Sequence, residues 1–245
     1  MNFLTSEMVN LLARGIFFTV LLTAVTTFTS LIVGVGVGTF RLSARPLWHR
    51  LAGVYINLFR NIPALVLIIF WAFAVPNLFD LEVRQTLFFD NPLADWGQWI
   101  TGLSLPYYAL AVIIALTLNT SAYLAELFRA GVGTIPQEVV EAARSLGAGN
   151  TAVFGRILLP QGLRAAFPAI STRLIHNMKN TALAAFVAVP EFFQATQTAI
   201  TRSFNAVEFL MIAAVVYLCL SFLLAALLNQ IDNRLNYAGS DHVSA

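Results

Sequence analysis

Five stretches of this chain, residues 15–40, 51–75, 106–130, 165–189 and 206–230, are long, mostly apolar runs. About 20 consecutive apolar residues suffice for a helix to cross a bilayer. Five such runs in 245 residues leave little chain for anything else. The third and fourth carry charges inside them. Composition points the same way, with 58% hydrophobic residues, 11% charged and a mean hydropathy of +0.77. Soluble domains hold about 45–50% apolar and roughly 25% charged residues. An all-α membrane protein with about five transmembrane helices is therefore expected. The formal net charge of +2 is too small to suggest a nucleic-acid partner.

Lys and Arg in short loops set orientation. Arg41, Arg45 and Arg50 follow the first run, Arg129, Arg144, Arg156 and Arg164 frame the third connection, and Arg234 follows the fifth run. With five spans these regions share one side, expected to be cytoplasmic. The connection 76–105 instead holds Asp80, Glu82, Asp90 and Asp95 against Arg84, and with 190–205 it belongs outside. The expected N-terminus is outside and the C-terminus cytoplasmic. The domain plan is an outer interfacial segment 1–14, a transmembrane domain 15–235 with a cytoplasmic connection 131–164, and a cytoplasmic tail 236–245. The start, MNFLTSEMVN, has Glu7 and no basic residue, unlike a signal peptide.

Cys219 is the only cysteine, so an intramolecular disulfide or a Cys-based metal cluster is excluded and packing is its expected role. Gly34 and Gly38 form a small-xxx-small pair for close helix approach. The GVGVG run does not match a dinucleotide fingerprint. No internal repeat is visible.

The third connection carries the most specific signal. Pro136 can start a helix, Glu138 and Glu141 suit its positive end, and Gly147 is placed to stop it. The product is a short, Ala-rich helix between two spans, a shape suited to a groove on a partner. The full run is Glu141-Ala142-Ala143, three residues, Gly147, nine residues, Ile157, one residue, then Leu159-Pro160. That spacing resembles the ATPase-docking loop of bacterial ABC importer permeases at every position. The stretches YINLFRNIP (55–63), LNTSAYLAELFR (118–129), LPQGL (159–163) and MKNTAL (178–183) are similar to permeases for polar amino acids, closest to those for glutamate and aspartate.

The resemblance implies the type I ABC importer permease fold in a bacterial inner membrane. It also implies two permease subunits, a homo- or heterodimer, lining one path. A cytoplasmic ATP-binding subunit dimer docks on Glu141, Ala142, Ala143, Gly147, Ile157, Leu159 and Pro160, and an external or periplasmic substrate-binding protein delivers an amino acid. Transport proceeds by alternating access. The residues themselves support a separate ATPase: a P-loop needs Gly-x4-Gly-Lys-Ser/Thr, and the only lysine, Lys179, sits between Met178 and Asn180. No cofactor is expected in this chain, since ATP belongs to the partner, and no metal site or catalytic residue is expected.

Ionisable groups inside spans are costly and face a cavity, a partner or a path. For Arg60 and Glu126 two readings stand side by side: an ion pair tying the bundle, or lining of the substrate path with Asn61 and Asn119. Glu126 lies below Asn119, Thr120, Ser121 and Tyr123 in sequence. Lys179, Asn180 and Thr181, with Asn177, are expected in the path. Arg173 is expected to snorkel toward the inner interface. Relatives with Lys-Asp-Thr-Ser neutralise that lysine, whereas Asn180 cannot. Three cations against one Glu favour an anionic ligand, hence an acidic or broad polar amino acid; basic and neutral amino acids are the alternatives. Glu191, Arg202 and Glu208 are expected as solvated charges at the outer end. Phe70, Trp71, Trp96 and Trp99 are expected as lipid-facing or interfacial anchors.

An ATPase-independent channel or secondary transporter does not explain the Glu-Ala-Ala loop, and the inverted repeats common among such transporters are not seen. An enzyme lacks support: HExxH and GxSxG are missing, and His49, His176 and His242 are scattered.

Overall fold

A computed structural model describes residues 5–89 and 107–240. Asp90, Asp95, Trp96, Trp99 and His242 lie outside the described residues. Among the described residues every regular element is helical. Helix α1 (Ser6–Arg41) is followed by α2 (Pro46–Asn61), α3 (Ala64–Ile69, continued as a π-turn through Ala74) and α4 (Leu81–Arg84). Then come α5 (Tyr107–Val132), α6 (Gln137–Ser145), α7 (Asn150–Val153), α8 (Leu159–Asn180), α9 (Phe192–Ser203) and α10 (Ala206–Ser240). A 3-10 segment, Thr181–Val187, continues from α8.

Three described helices, α1, α5 and α10 over Ala206–Leu235, are long and apolar enough to cross a membrane. A fourth is counted if Pro46–Asn61 and Ala64–Ala74 form one broken span. By length and composition three to four of the described helices thus qualify, against about five expected. The expected run 51–75 is two helices: Pro63 lacks an N–H and disfavours helical backbone at Ile62, and Pro63 itself stands at φ −56° and ψ 138° ahead of α3. The expected run 165–189 falls on α8, whose Arg164, Arg173, His176 and Lys179 make it too polar to qualify. At the N-terminus, α1 has no break near residue 14, since no proline or turn interrupts it.

The chain folds as two compact units, both built from discontinuous segments. The first comprises residues 1–29, 61–119 and 176–220. Its core joins Leu12 of α1, Phe192, Ala195 and Ala199 of α9, and Phe209 and Ala213 of α10. Threonines in α1 satisfy their hydroxyls locally: Thr23 donates to the Thr19 carbonyl at 2.7 Å and Thr26 to that of Leu22 at 2.7 Å. Polar groups can thus be buried at low cost.

The second unit comprises residues 30–60, 120–175 and 221–245. Leu124 of α5, Ala166, Ile170 and Leu174 of α8, and Leu228 of α10 form its core. The Gly34/Gly38 pair packs as expected. A Cβ on Gly34 would lie 2.8 Å from Leu124 Cβ and 3.1 Å from the Ser121 carbonyl oxygen. On Gly38 it would lie 2.7 Å from Phe128 Cδ1. Gly36, between them, has nothing within 4 Å. Gly34→Leu is accordingly expected to lower the melting temperature by about 2–12 °C, the result of roughly 1–3 kcal/mol of overpacking. Gly36→Leu is expected to melt like the parent; equal losses at both positions would rule this packing role out. Cys219 is exposed on α10 rather than packed, because its run has little protein around it: only 6% of the apolar window of α10 is buried, against 67% for α5.

Candidate functional site

The connection between α5 and α8 lies wholly in the second unit. Pro136, with φ −58° and ψ 139°, stands just before α6, and Glu138 falls in its first turn. Ser145 Oγ donates back to the Glu141 carbonyl at 3.0 Å. At the far end Gly147 adopts φ +85°, and two crossed bonds close the helix. Gly147 N–H donates to the Arg144 carbonyl at 2.9 Å, and Ala148 N–H to that of Ala143 at 3.0 Å. This pair of bonds is a Schellman motif, in which glycine supplies the left-handed residue. The helix-stop role read from Gly147 therefore has a defined geometry.

None of the nine residues of α6 is buried. Glu141 and Ala142 are exposed, Ala143 is partly covered, and Leu146 beyond the last turn is 90% exposed. A cleft of about 410 Å³ adjoins α6, lined by Val132, Gly133, Ile135, Gln137, Val140, Glu141, Arg144 and Leu158. Ile157, Leu159 and Pro160 are half-buried where the chain turns into α8 and form the base of the connection.

The intramembrane polar residues fall into two groups. In the second unit, Glu126 pairs with Arg129, one turn along α5, through Nη2 at 2.6 Å and Nε at 3.1 Å. The Arg60–Glu126 ion pair weighed from sequence does not form, because the i,i+3 partner reaches the carboxylate first. Arg60 closes α2, and its carbonyl accepts a bond from Tyr123 OH at 3.1 Å. The helix stops before Pro63, so this carbonyl is one that the helix itself cannot satisfy.

Arg60 and Arg173 both stand over the Tyr123 ring, at 5.3 Å and 3.8 Å from its centre. Arg173 Nη2 also reaches Thr120 Oγ1 at 3.5 Å. Arg173 thus turns inward onto an aromatic ring instead of snorkelling outward. The stack and the hydroxyl give its guanidinium more than the interface would. Tyr123 was read from sequence only as a neighbour of Glu126. Its four-residue spacing from Asn119, which puts both on one helix face, is the signal that could have found it.

In the first unit, Asn119 is 4% exposed and its Nδ2 donates to the Ile62 carbonyl at 3.4 Å, covering another backbone oxygen freed by Pro63. Asn61 is exposed. Lys179 is exposed and Asn180 half-buried, at the point where α8 gives way to the 3-10 segment. Two of the four clustered polar residues are spent on structure. Asn177 Nδ2 bonds Thr26 Oγ1 at 2.8 Å, and the buried Thr181 Oγ1 bonds the Met178 carbonyl at 2.7 Å.

Glu191 departs furthest from expectation. It is 0% exposed, not solvated. Its side chain caps α9 by accepting from Gln194 N–H at 2.7 Å, and also accepts from Tyr217 OH at 2.8 Å and Thr19 Oγ1 at 3.3 Å. Phe192 N–H completes the knot on Thr19 Oγ1 at 3.1 Å. Burial raises the carboxyl's pKa above the usual range, against the opposing pull of these hydrogen bonds.

Comparison with known proteins agrees with this architecture. Residues 30–237 match the family described as binding-protein-dependent transport system inner membrane component. The L-cystine transport system permease protein TcyL of Bacillus subtilis is 32% identical, over 79% of this chain and 76% of its own. The probable glutamine ABC transporter permease protein GlnP of the same organism is 29% identical over 90% and 91%. The octopine transport system permease protein OccM of Rhizobium radiobacter is 31% identical over 82% and 76%. Among solved structures, an amino acid ABC transporter crystallised with histidines superposes with a TM-score of 0.73 at 22% identity, covering 93% of this chain and 95% of that one. The inward-facing MetNI methionine ABC transporter gives 0.72 at 21% identity, over 95% and 99%. The chain belongs to the family of binding-protein-dependent transport system inner membrane components, as a multi-pass permease subunit of an amino-acid ABC importer and a transport component rather than an enzyme.

Proposed function

We propose that this permease carries polar, acidic amino acids inward by alternating access, driven by an ATPase on another chain that docks at residues 141–160. The observation behind the docking role is the bare surface of α6 with Leu146 at its tip, closed by a rigid Gly147 turn. Such a helix fits a groove on a partner. Glu141, Ala142 and Ala143 meet the ATPase, and Ile157, Leu159 and Pro160 carry its movement into α8. ATP is bound by that cytoplasmic ATP-binding subunit dimer, and this chain needs no cofactor of its own. A second permease subunit completes the path and an external binding protein feeds it. The charge asymmetry of the loops supports an outside N-terminus, a cytoplasmic 131–164 connection and a cytoplasmic C-terminus.

The substrate reading rests on charge. Glu126 is already held by Arg129, while Arg60 and Lys179 have no carboxylate within salt-bridge distance among the described residues. Cations kept in a membrane path favour an anionic ligand. Arg60, Asn61, Asn119, Lys179, Asn180 and Thr181 belong to that path, with Glu126 as its electrostatic neighbour. The named relatives are described as permeases for L-cystine, octopine and, as a probable assignment, glutamine, so membership of the family does not by itself choose the cargo. In proteoliposomes holding the complete importer, uptake of labelled L-glutamate is expected to be blocked by excess L-aspartate and little affected by L-arginine or L-histidine. Stronger competition from either basic amino acid would overturn the acidic reading.

A further inference from the structure

Resting on the acidic reading above, we infer that Arg60 and Arg173, seated together on the Tyr123 ring, form the element that selects the second carboxylate of the substrate. Three observations carry it. First, two guanidinium groups share one aromatic ring, at 5.3 Å and 3.8 Å from its centre. Like charges gathered inside a bundle are unfavourable unless an anion sits among them. Second, the Arg60 Nε is buried and has no hydrogen-bond partner among the described residues. A buried N–H left unmade costs about 1–3 kcal/mol, more on a charged group, so it is a donor held for something. Third, the acidic side chain on the same stretch of α5, Glu126, is occupied by Arg129.

The chemistry suits a carboxylate. A guanidinium uses its face on a ring and its edge on an acid, so stacking on Tyr123 and binding an anion do not compete. The ring is itself tethered, because Tyr123 OH donates to the Arg60 carbonyl. Thr120 Oγ1 holds Arg173 on its other side. The platform is therefore pre-arranged, which lowers the cost of ordering two long side chains on binding. An amino acid with a neutral side chain would lack the group this pair selects. Arg173 is the new member: its spacing suggested an interfacial residue, and only its fold neighbours make it a specificity residue.

The test measures binding of radiolabelled L-glutamate and L-glutamine to the permease–ATPase complex in nanodiscs, without the binding protein, so that selectivity belongs to the permease alone. Arg173→Gln is expected to weaken L-glutamate at least tenfold and to move L-glutamine by less than about twofold. Arg60→Gln is expected to act in the same direction. Arg173→Lys, which keeps charge but loses the planar stack, is expected to fall between Gln and the parent. Tyr123→Phe, which keeps the ring, is expected to retain selectivity, whereas Tyr123→Leu loses it. If the parent prefers L-glutamate but both arginine variants weaken the two ligands equally, the pair is structural and the inference falls while the acidic reading stands. If the parent prefers L-glutamine or L-arginine, the acidic reading itself falls. Should Arg173→Gln not assemble, Arg60→Gln alone decides: unchanged discrimination there overturns the inference.

Discussion

Glu141→Lys is expected to detach the ATPase from the purified permease and to abolish ATP-driven uptake. The residue is exposed on α6, so its loss costs the permease little stability, within roughly 0.5 kcal/mol. At a docking surface the same change replaces an acid with a base in a contact the partner has shaped itself to. Central residues of such interfaces are worth about 2 kcal/mol or more, a weakening of roughly 30-fold. Gly147→Arg is expected to give the same outcome by another route. At φ +85° an L-residue is strained by about 1–2 kcal/mol, and the Schellman turn that ends α6 opens. Nothing lies within 4 Å of the added Cβ, so the rest of the fold has no reason to move. Affinity purification from a strain expressing both chains reads the first effect, and uptake in proteoliposomes reads the second. Undiminished copurification and uptake in Glu141→Lys would refute the docking role of this loop.

Glu191→Ala is expected to be strongly destabilising. It removes the α9 cap, about 1 kcal/mol, and takes one hydrogen-bond acceptor from each of the Thr19 and Tyr217 hydroxyls. A total of about 3 kcal/mol corresponds to a fall of roughly 6–12 °C in melting temperature. Glu191→Gln preserves the cap through its carbonyl oxygen, and its amide can donate to the two hydroxyls, so a much smaller loss is expected. The same pair predicts a pH dependence. The folded state holds the Glu191 proton more tightly than the unfolded chain does, because burial raises the carboxyl's pKa. Its contribution is therefore complete below the ordinary carboxylate range and is lost as pH rises from there through the raised value. The parent should lose melting temperature over that window while Glu191→Gln stays flat. An identical slope in both proteins, or an alanine variant as stable as the parent, would contradict this account.

Much of the transport reading was legible in the chain, because its signals are local. The docking helix is bounded by Pro136 and Gly147, whose backbone preferences act within one turn. The Gly34/Gly38 pair needed only its four-residue spacing to be recognised. Elsewhere a local rule met a competing one. The 51–75 run was apolar enough to span, but Pro63 cuts its hydrogen-bond ladder. Polarity alone drew Thr181 and Asn177 into one cluster, and only the packed helices show their bonds to the Met178 carbonyl and to Thr26.

The sequence by itself determined that this is a helical membrane permease, carrying the Glu141–Pro160 spacing that underlies the proposed docking role and no P-loop among its 245 residues. Apolar length, loop charge and motif spacing are properties of neighbouring residues, and they survive whatever the chain does elsewhere. The tertiary structure alone decided how each buried charge is satisfied. Arg173 reaches Thr120 across 53 residues and Glu191 meets Thr19 across 172, whereas the more exposed Glu126 finds Arg129 locally, three residues along the same helix. A charge withdrawn from water takes whichever partner the packing brings within hydrogen-bond reach. That choice is made among helices far apart in the chain, so it becomes visible only once they are in place.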